Sequence, residues 1–293
     1  MSHVQPPARQ PVATAILEQL QTIANRFPSP AVRCLHVPRR VEAAGEHDAE
    51  FCAIELEDGA FGLSYILLGD TLENILRTHG GKTPLAGADA MGLACQLTSS
   101  DPVKRAVALA AANALTDSVW RRCGYEPPSA GNSLGDIVLG PDDHLGMIGF
   151  FPPLVRRIDA VGGRLSVVEM SEEIVHLQQE RFPNVTITTD RDVLRDCNVV
   201  VGTSTMLLND TLDEMLGAAP KAGRFALIGP SAGLWPDELF ERGVTLMGGT
   251  RIVDANGFRN AMANGESWSH ATRKFAVARE SWPGWRGLLA GTH

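Results

Sequence analysis

Apolar and polar positions follow two different patterns along this chain of 293 residues, and the change lies near its middle. Residues 13–27 carry apolar side chains at helical spacing, which predicts an amphipathic helix. Further on, Asp101 and Pro102 form the start signal of a long, alanine-rich helix. Between these helices, three short apolar runs and a hairpin-type turn at Glu57-Asp58-Gly59-Ala60 predict an antiparallel sheet. The predicted strands of this α+β unit are 31–36, 51–56 and 61–68.

From about His144 onward, short apolar runs alternate with helical segments, which is typical of βαβ units and a parallel sheet covered on both faces. Residues 124–143 are rich in Gly, Pro, Ser, Asn and Asp and separate the two patterns. We therefore predict an α/β protein with a mobile start over 1–12, a smaller α+β domain over 13–130 and a Rossmann-like domain over 131–293. The predicted parallel strands are 145–150, 165–170, 185–189, 198–202, 224–229 and 244–248, and the tail after them shows no clear motif.

Composition narrows the class of protein. Hydrophobic residues make up 44% and charged residues 20%, as in soluble globular proteins. A formal charge of -8 without a Lys/Arg cluster argues against a nucleic-acid partner. Five widely spaced cysteines indicate neither a disulfide framework nor a zinc knuckle, and neither a signal peptide nor a membrane-spanning run is evident. We expect a cytoplasmic protein without a membrane partner and leave its oligomeric state open, a homodimer included.

In a doubly wound sheet, ligands bind outside the carboxyl ends of the strands. At the first of these ends, Gly149 is followed by Phe150, Phe151 and two prolines where a dinucleotide site would have G-x-G-x-x-G. The third glycine is missing and proline carries no N–H, so NAD binding is disfavoured. The turn either packs as a stiff apolar loop or lines a ligand with its phenylalanine rings.

Two further strand ends carry polar side chains. Glu169 stands twenty positions after Gly149, where nucleotide-binding Rossmann folds keep an acid for ribose hydroxyls, although it would also complement the dipole of the next helix. Thr203, Ser204 and Thr205 follow an apolar strand and are predicted to contact a ligand. Asn209 is expected either to join them or to cap the next helix.

Three weaker candidates complete the predicted site and its surroundings. Gly229, Pro230 and Ser231 form a turn after another strand and aim a hydroxyl at the same crevice. Asn113 lies on a mostly apolar face of the long helix, so its amide either bonds at the domain interface or reaches the cleft. Asp142-Asp143-His144 is interpreted as a solvated loop at the opposite end of the sheet. Neither G-x-S-x-G nor H-E-x-x-H occurs.

Taken in order, several of these motifs resemble those of the “putative heavy-metal chelation” domain family, a domain of unknown function. They are the runs GMIGFFPPLVRRI, VVVGTSTMLLNDTLDEML and IGPSAGLWPDELFERGVTLMGG, with Glu169 between the first two. The first half, with KRAVALAAANAL, resembles the companion domain. The resemblance implies an enolase amino-terminal-like domain before the Rossmann-like domain, a site in the cleft between them, and a role in handling heavy metals. The family pattern has glycine where Asp210 stands.

We therefore predict a protein that binds a small polar metabolite, a metallophore or a divalent metal in the interdomain cleft. Its polar contacts would come from Glu169, Thr203, Thr205, Asn209 and Ser231, beside an apolar wall of Phe150 and Phe151. A directly bound metal should be hard or borderline, because the strand ends offer oxygen ligands and no thiolate. The alternatives are a transferase or synthase that uses S-adenosylmethionine or a nucleotide, and an interaction module with an apolar surface patch.

Overall fold

The computed structural model describes residues 10–38, 50–81, 83–131 and 138–290. Its first half begins with a helix and an antiparallel sheet in the order β1-β2-β3. The predicted hairpin turn joins β2 to β3, and Gly59 occupies it with a φ of +84°, a conformation that glycine adopts without strain. The elements are α1 (Val12–Ala24), β1 (Val32–His36), β2 (Phe51–Leu56), β3 (Phe61–Tyr65), α2 (Thr71–His79), α3 (Ala90–Ala94) and α4 (Pro102–Arg122).

Helix α4 is the central element between the two sheets. Its start agrees with the sequence signal, since the Asp101 carboxylate accepts the N–H groups of Val103 and Lys104 and Pro102 occupies the first turn. All side chains from Ala106 to Trp120 are buried, because β3 packs on one side and the second half of the chain on the other. A Cβ on Gly62 of β3 would lie 2.2 Å from a backbone atom of α4. The two backbones are therefore in direct contact.

The second half is a seven-stranded sheet in the order β10-β9-β8-β7-β4-β5-β6. Six parallel strands give the Rossmann order 3-2-1-4-5-6 when numbered from the first strand of this half, so the predicted α/β fold is confirmed. Strand order reverses between β4 and β7. The elements are β4 (His144–Ile148), α5 (Pro152–Ala160), β5 (Arg164–Val168), α6 (Glu172–Arg181), β6 (Thr186–Thr188), β7 (Val199–Thr203), α7 (Leu212–Ala218), β8 (Arg224–Ile228), α8 (Asp237–Glu241), β9 (Leu246–Ile252), α9 (Ala255–Asn264), β10 (Thr272–Ala278) and α10 (Trp285–Ala290).

The tail, in which the sequence showed no motif, contributes a strand. β10 runs antiparallel to β9, and residues 128–130 hydrogen-bond along its outer side through Pro128, Ala130, Lys274 and Ala276. The predicted domain boundary at 130/131 adjoins residues 132–137, which lie outside the described residues, and it stays a prediction. Most of the predicted mobile start, residues 1–9, also lies outside them. Among the described helices, none combines the length and apolarity needed to cross a bilayer.

Side chains close the outer edge of the small sheet. The N–H of Phe61 donates to Asp117 (3.2 Å), the amide of Asn113 donates to the carbonyl of Leu63 (2.7 Å), and the N–H of Tyr65 donates to the Ser231 hydroxyl (2.9 Å). An unpaired strand edge exposes backbone groups that must find partners. Here α4 and the loop after β8 supply them, which joins the two halves of the chain.

Candidate functional site

The loops that follow β4 and β7 touch at the point where strand order reverses. Gly149 has a φ of +82°, and a Cβ placed on it would lie 3.1 Å from the Thr203 methyl carbon. Gly229, in the loop after β8, has a φ of +134°, and a Cβ there would lie 2.5 Å from the Ser204 hydroxyl. Glycine is needed at both positions because these loops approach so closely. The structure thus brings three of the predicted strand ends together.

Glu169, at the end of β5, joins its own loop to the loop after β4 through its carboxylate. Oε2 accepts the N–H of Phe150 (3.1 Å), and Oε1 accepts the N–H of Met170 (2.7 Å). Among the described side chains, no Lys, Arg or His forms an ion pair with it. A carboxylate has about four acceptor positions, so Glu169 keeps part of its accepting capacity. The acid lies at the predicted place, but its observed partners are backbone amides.

The hydroxyl cluster after β7 is also where the sequence predicts it. Oγ1 of Thr203 and Oγ1 of Thr205 lie 2.9 Å apart, and both side chains are half-buried. Asn209 accepts both the N–H and the hydroxyl of Thr211, the residue before α7, and so holds the turn ahead of that helix; the Thr211 side chain makes no capping hydrogen bond to α7. The Asn209 amide nitrogen lies 3.1 Å from the Met170 sulfur, which brings the loop after β7 to the loop after β5.

A left-handed residue follows this cluster. Asp210 has a φ of +58°, which accounts for the glycine that the family pattern has at this position. Its carboxylate lies 2.7 Å from the Arg105 guanidinium of α4, and Arg105 also donates to the carbonyl of Leu208 (2.8 Å). Arg105 therefore holds the hydroxyl-bearing loop against the first half of the chain.

Five predicted site residues lie in the core, between the halves or in a turn. Asn113 and Ser231 are buried between the halves, where the Asn113 amide also donates to the carbonyl of Ser231 (2.8 Å). The Phe150 ring packs at 6.0 Å from Phe182, and Phe151 packs against the same core. Pro230 is half-buried in the turn after Gly229. Gly149, Glu169, Thr203, Thr205 and Asn209 are the predicted site residues that remain together at the strand ends.

Tyr65, at the end of β3, is a residue that the sequence patterns did not single out. It is half-buried, and burial together with the carboxylates of Glu50 and Glu169 raises the pKa of its phenol to about 12. The phenol therefore stays protonated at neutral pH and can donate a hydrogen bond. Its strand lies in the other half of the chain, so only the packing of the halves reveals that the charge of Glu169 acts on it.

The residues present do not fit a directly chelated soft metal ion. Within the described ranges, no three side chains among His, Cys, Asp and Glu lie close enough to hold one. Burial raises the pKa of the Cys197 thiol to about 11 and that of Cys52 to about 12, so neither is a thiolate at neutral pH. The crevice offers carboxylate, hydroxyl and thioether groups, of which the oxygens suit hard or borderline ions.

Two further predictions concern surfaces outside the crevice. Asp143 and His144 are not freely solvated: Asp143 pairs with Arg224, and the His144 ring lies 2.9 Å from the Ser166 hydroxyl. On and just before α6, the exposed residues Met170 (70%), Ile174 (38%) and Leu177 (55%) follow helical spacing. This stripe is the kind of apolar patch that the interaction-module alternative predicts.

Comparison with known proteins gives matches over most of the chain. Two family models, both described as “putative heavy-metal chelation”, match residues 134–280 and 49–116. An uncharacterized protein of Methanocaldococcus jannaschii is 29% identical over 167 residues, which span 54% of this chain and 58% of that relative.

Two crystal structures of proteins with unknown function share the fold. The one from Pyrococcus horikoshii has a TM-score of 0.63 at 16% identity, and the one from Desulfitobacterium hafniense has 0.62 at 20%. Each comparison covers 91% of this chain and 99% of the other.

Proposed function

Because this chain belongs to the family described as “putative heavy-metal chelation”, we propose that it binds a small, metal-handling ligand at the carboxyl ends of β4, β5 and β7. The observation that carries the proposal is the contact of Gly149 with Thr203 at the reversal of strand order, beside which the Glu169 carboxylate accepts the N–H of Phe150. Ligands of doubly wound sheets bind at this point.

The chemistry of the rim favours a metal carried inside a small metabolite. A bare soft ion would need thiolate or imidazole ligands, whereas the rim offers Glu169, the hydroxyls of Thr203 and Thr205, and the phenol of Tyr65. A metallophore-like compound presents polar groups of its own, which these side chains can bind. We place this activity in the cytoplasm, where free thiols such as the five unpaired cysteines persist.

Isothermal titration tests the proposal with Ni²⁺ alone and with Ni²⁺ bound to citrate or to histidine. We expect a complexed form to bind, and Thr203→Val to weaken binding about tenfold, the effect of one lost hydrogen bond to a charged or polar ligand group. Thr22→Val, at an exposed position on α1, is the matched control and should leave binding unchanged. Equal affinities for wild type and Thr203→Val would place the ligand elsewhere. The same titration with S-adenosylmethionine tests the enzyme alternative.

A further inference from the structure

The first turn of the Rossmann half has no amide available for a ligand. In nucleotide-binding Rossmann folds this turn and the helix after it bind pyrophosphate through backbone N–H groups. Here each N–H between Gly149 and Val155 is either bonded or absent. Gly149 donates to Val168, Phe150 to Glu169, Phe151 to the sulfur of Met147, and Leu154 and Val155 to the carbonyl of Phe151, whereas Pro152 and Pro153 have no N–H.

Glu169 adds a negative charge to this turn, which already lacks free N–H donors. Its carboxylate occupies the Phe150 amide and places a negative charge at the position that a phosphate would take. A phosphate there would face this charge instead of amide donors. Repulsion between like charges in a partly buried site is costly.

The groups that remain are mainly acceptors. Glu169 keeps unoccupied lone pairs, and the paired hydroxyls of Thr203 and Thr205 lie on the neighbouring loop. Burial, and after it the carboxylates of Glu50 and Glu169, raise the pKa of the Tyr65 phenol, so both acids contribute negative charge on this side of the molecule. Acceptors in a negative potential bind a cation that donates hydrogen bonds.

We propose that Glu169 is the specificity-determining residue of the crevice: it excludes phosphate-bearing ligands and selects a positively charged group that donates hydrogen bonds. An ammonium group and a metal ion with bound water or amine ligands share this chemistry. The inference rests on the proposed function only for the location of the site, since the arrangement of amides and the carboxylate is independent of the metal.

The test uses hexaamminecobalt(III), a cation whose bound amines donate hydrogen bonds and do not exchange, together with an alkyl diamine, pyrophosphate and NAD. Titrations at about 0.15 M salt screen weak surface attraction to an acidic protein. We expect wild type to bind hexaamminecobalt(III), the diamine or both, and neither pyrophosphate nor NAD. Glu169→Gln should weaken cation binding at least about tenfold, because a charged hydrogen bond is lost. Asp142→Asn, on an exposed turn at the opposite end of the sheet, is the matched control.

Near-ultraviolet circular dichroism establishes whether Glu169→Gln is folded. If Glu169→Gln is not folded, Thr205→Val takes its place in the titrations. Thr205→Val keeps the charge of Glu169, removes one acceptor and should weaken cation binding about threefold. Binding of NAD or pyrophosphate to wild type with a Kd below about 1 mM would overturn the inference. So would unchanged cation affinity in the folded variant.

The outcomes separate this inference from the proposed function. Binding of hexaamminecobalt(III) without binding of any nickel complex would contradict the metal-handling role and leave the charge preference standing. Binding of a nickel complex that Thr203→Val weakens, together with tight NAD binding, would contradict only the charge preference.

Discussion

Gly149 and Thr203 meet where the proposed site lies, and replacement of Gly149 by alanine tests this contact. The added methyl group meets two obstacles. The φ of +82° is unfavourable for any residue with a Cβ, and the new carbon would lie 3.1 Å from the Thr203 methyl carbon. The first obstacle belongs to the backbone alone, and the second exists only because the two loops meet.

A second glycine separates these contributions. Gly162 has a φ of +65°, and a Cβ there would have no neighbour within 4 Å, so Gly162→Ala measures the backbone cost of about 1 kcal/mol. Gly149→Ala should cost about 2–3 kcal/mol, because overpacking adds at least about 1 kcal/mol. Thr203→Ser removes the obstructing methyl group. In the Gly149→Ala background it should recover about 0.5–1 kcal/mol.

Urea denaturation followed by tryptophan fluorescence gives the free energies of unfolding of Gly162→Ala and of the four proteins in a double-mutant cycle. The wild type, both single variants at positions 149 and 203, and their combination form a double-mutant cycle. If Gly149→Ala and Gly162→Ala are equally destabilising, or if Thr203→Ser recovers nothing, the loops do not meet as described. The placement of the crevice would then lose its main support.

Two other predictions follow from the electrostatics. Asp210→Gly should stay within about 0.5 kcal/mol of the wild-type free energy of unfolding, because the relieved φ offsets the loss of the half-exposed ion pair with Arg105. Asp210→Ala loses the ion pair without relief of φ and should be about 1–2 kcal/mol less stable than wild type. Urea midpoints check this order, and an alanine variant more stable than the glycine variant refutes it. Burial lowers the pKa of His36 below its ordinary 6.5 although Glu55 opposes the shift, so the unfolded chain binds this proton more readily. The free energy of unfolding should therefore fall as the pH drops below 6.5, and His36→Gln should flatten that fall; an unchanged slope contradicts the assignment.

The parallel sheet could be predicted because each buried strand is a short apolar run between helical segments. β10 was missed for a physical reason: it lies at the sheet edge, and its sequence TRKFAVA begins with polar residues that lie partly or fully exposed. The position of Glu169 followed from the fold, but its partners did not, since backbone amides leave no trace in a sequence.

Contacts between residues far apart in the sequence could not be predicted from the sequence alone. Tyr65 and Glu169 are separated by more than a hundred positions, and only the packing of β3 against the Rossmann half brings them near each other. The ion pair between Arg105 and Asp210 also joins positions that are far apart in the sequence. The family pattern identified position 210 as unusual, and the structure supplied the left-handed backbone and the guanidinium that accompany it.

The side chains that close the edge of β3 also bear on how the chain is made. During synthesis β3 leaves the ribosome long before Ser231, so Tyr65 lacks its partner while the first half is already long enough to form its sheet. In that interval the strand presents an open edge to any neighbouring nascent chain. The hydrogen bonds of Phe61 to Asp117 and of Asn113 to Leu63 cover part of this edge early, because β3 and α4 both belong to the first half.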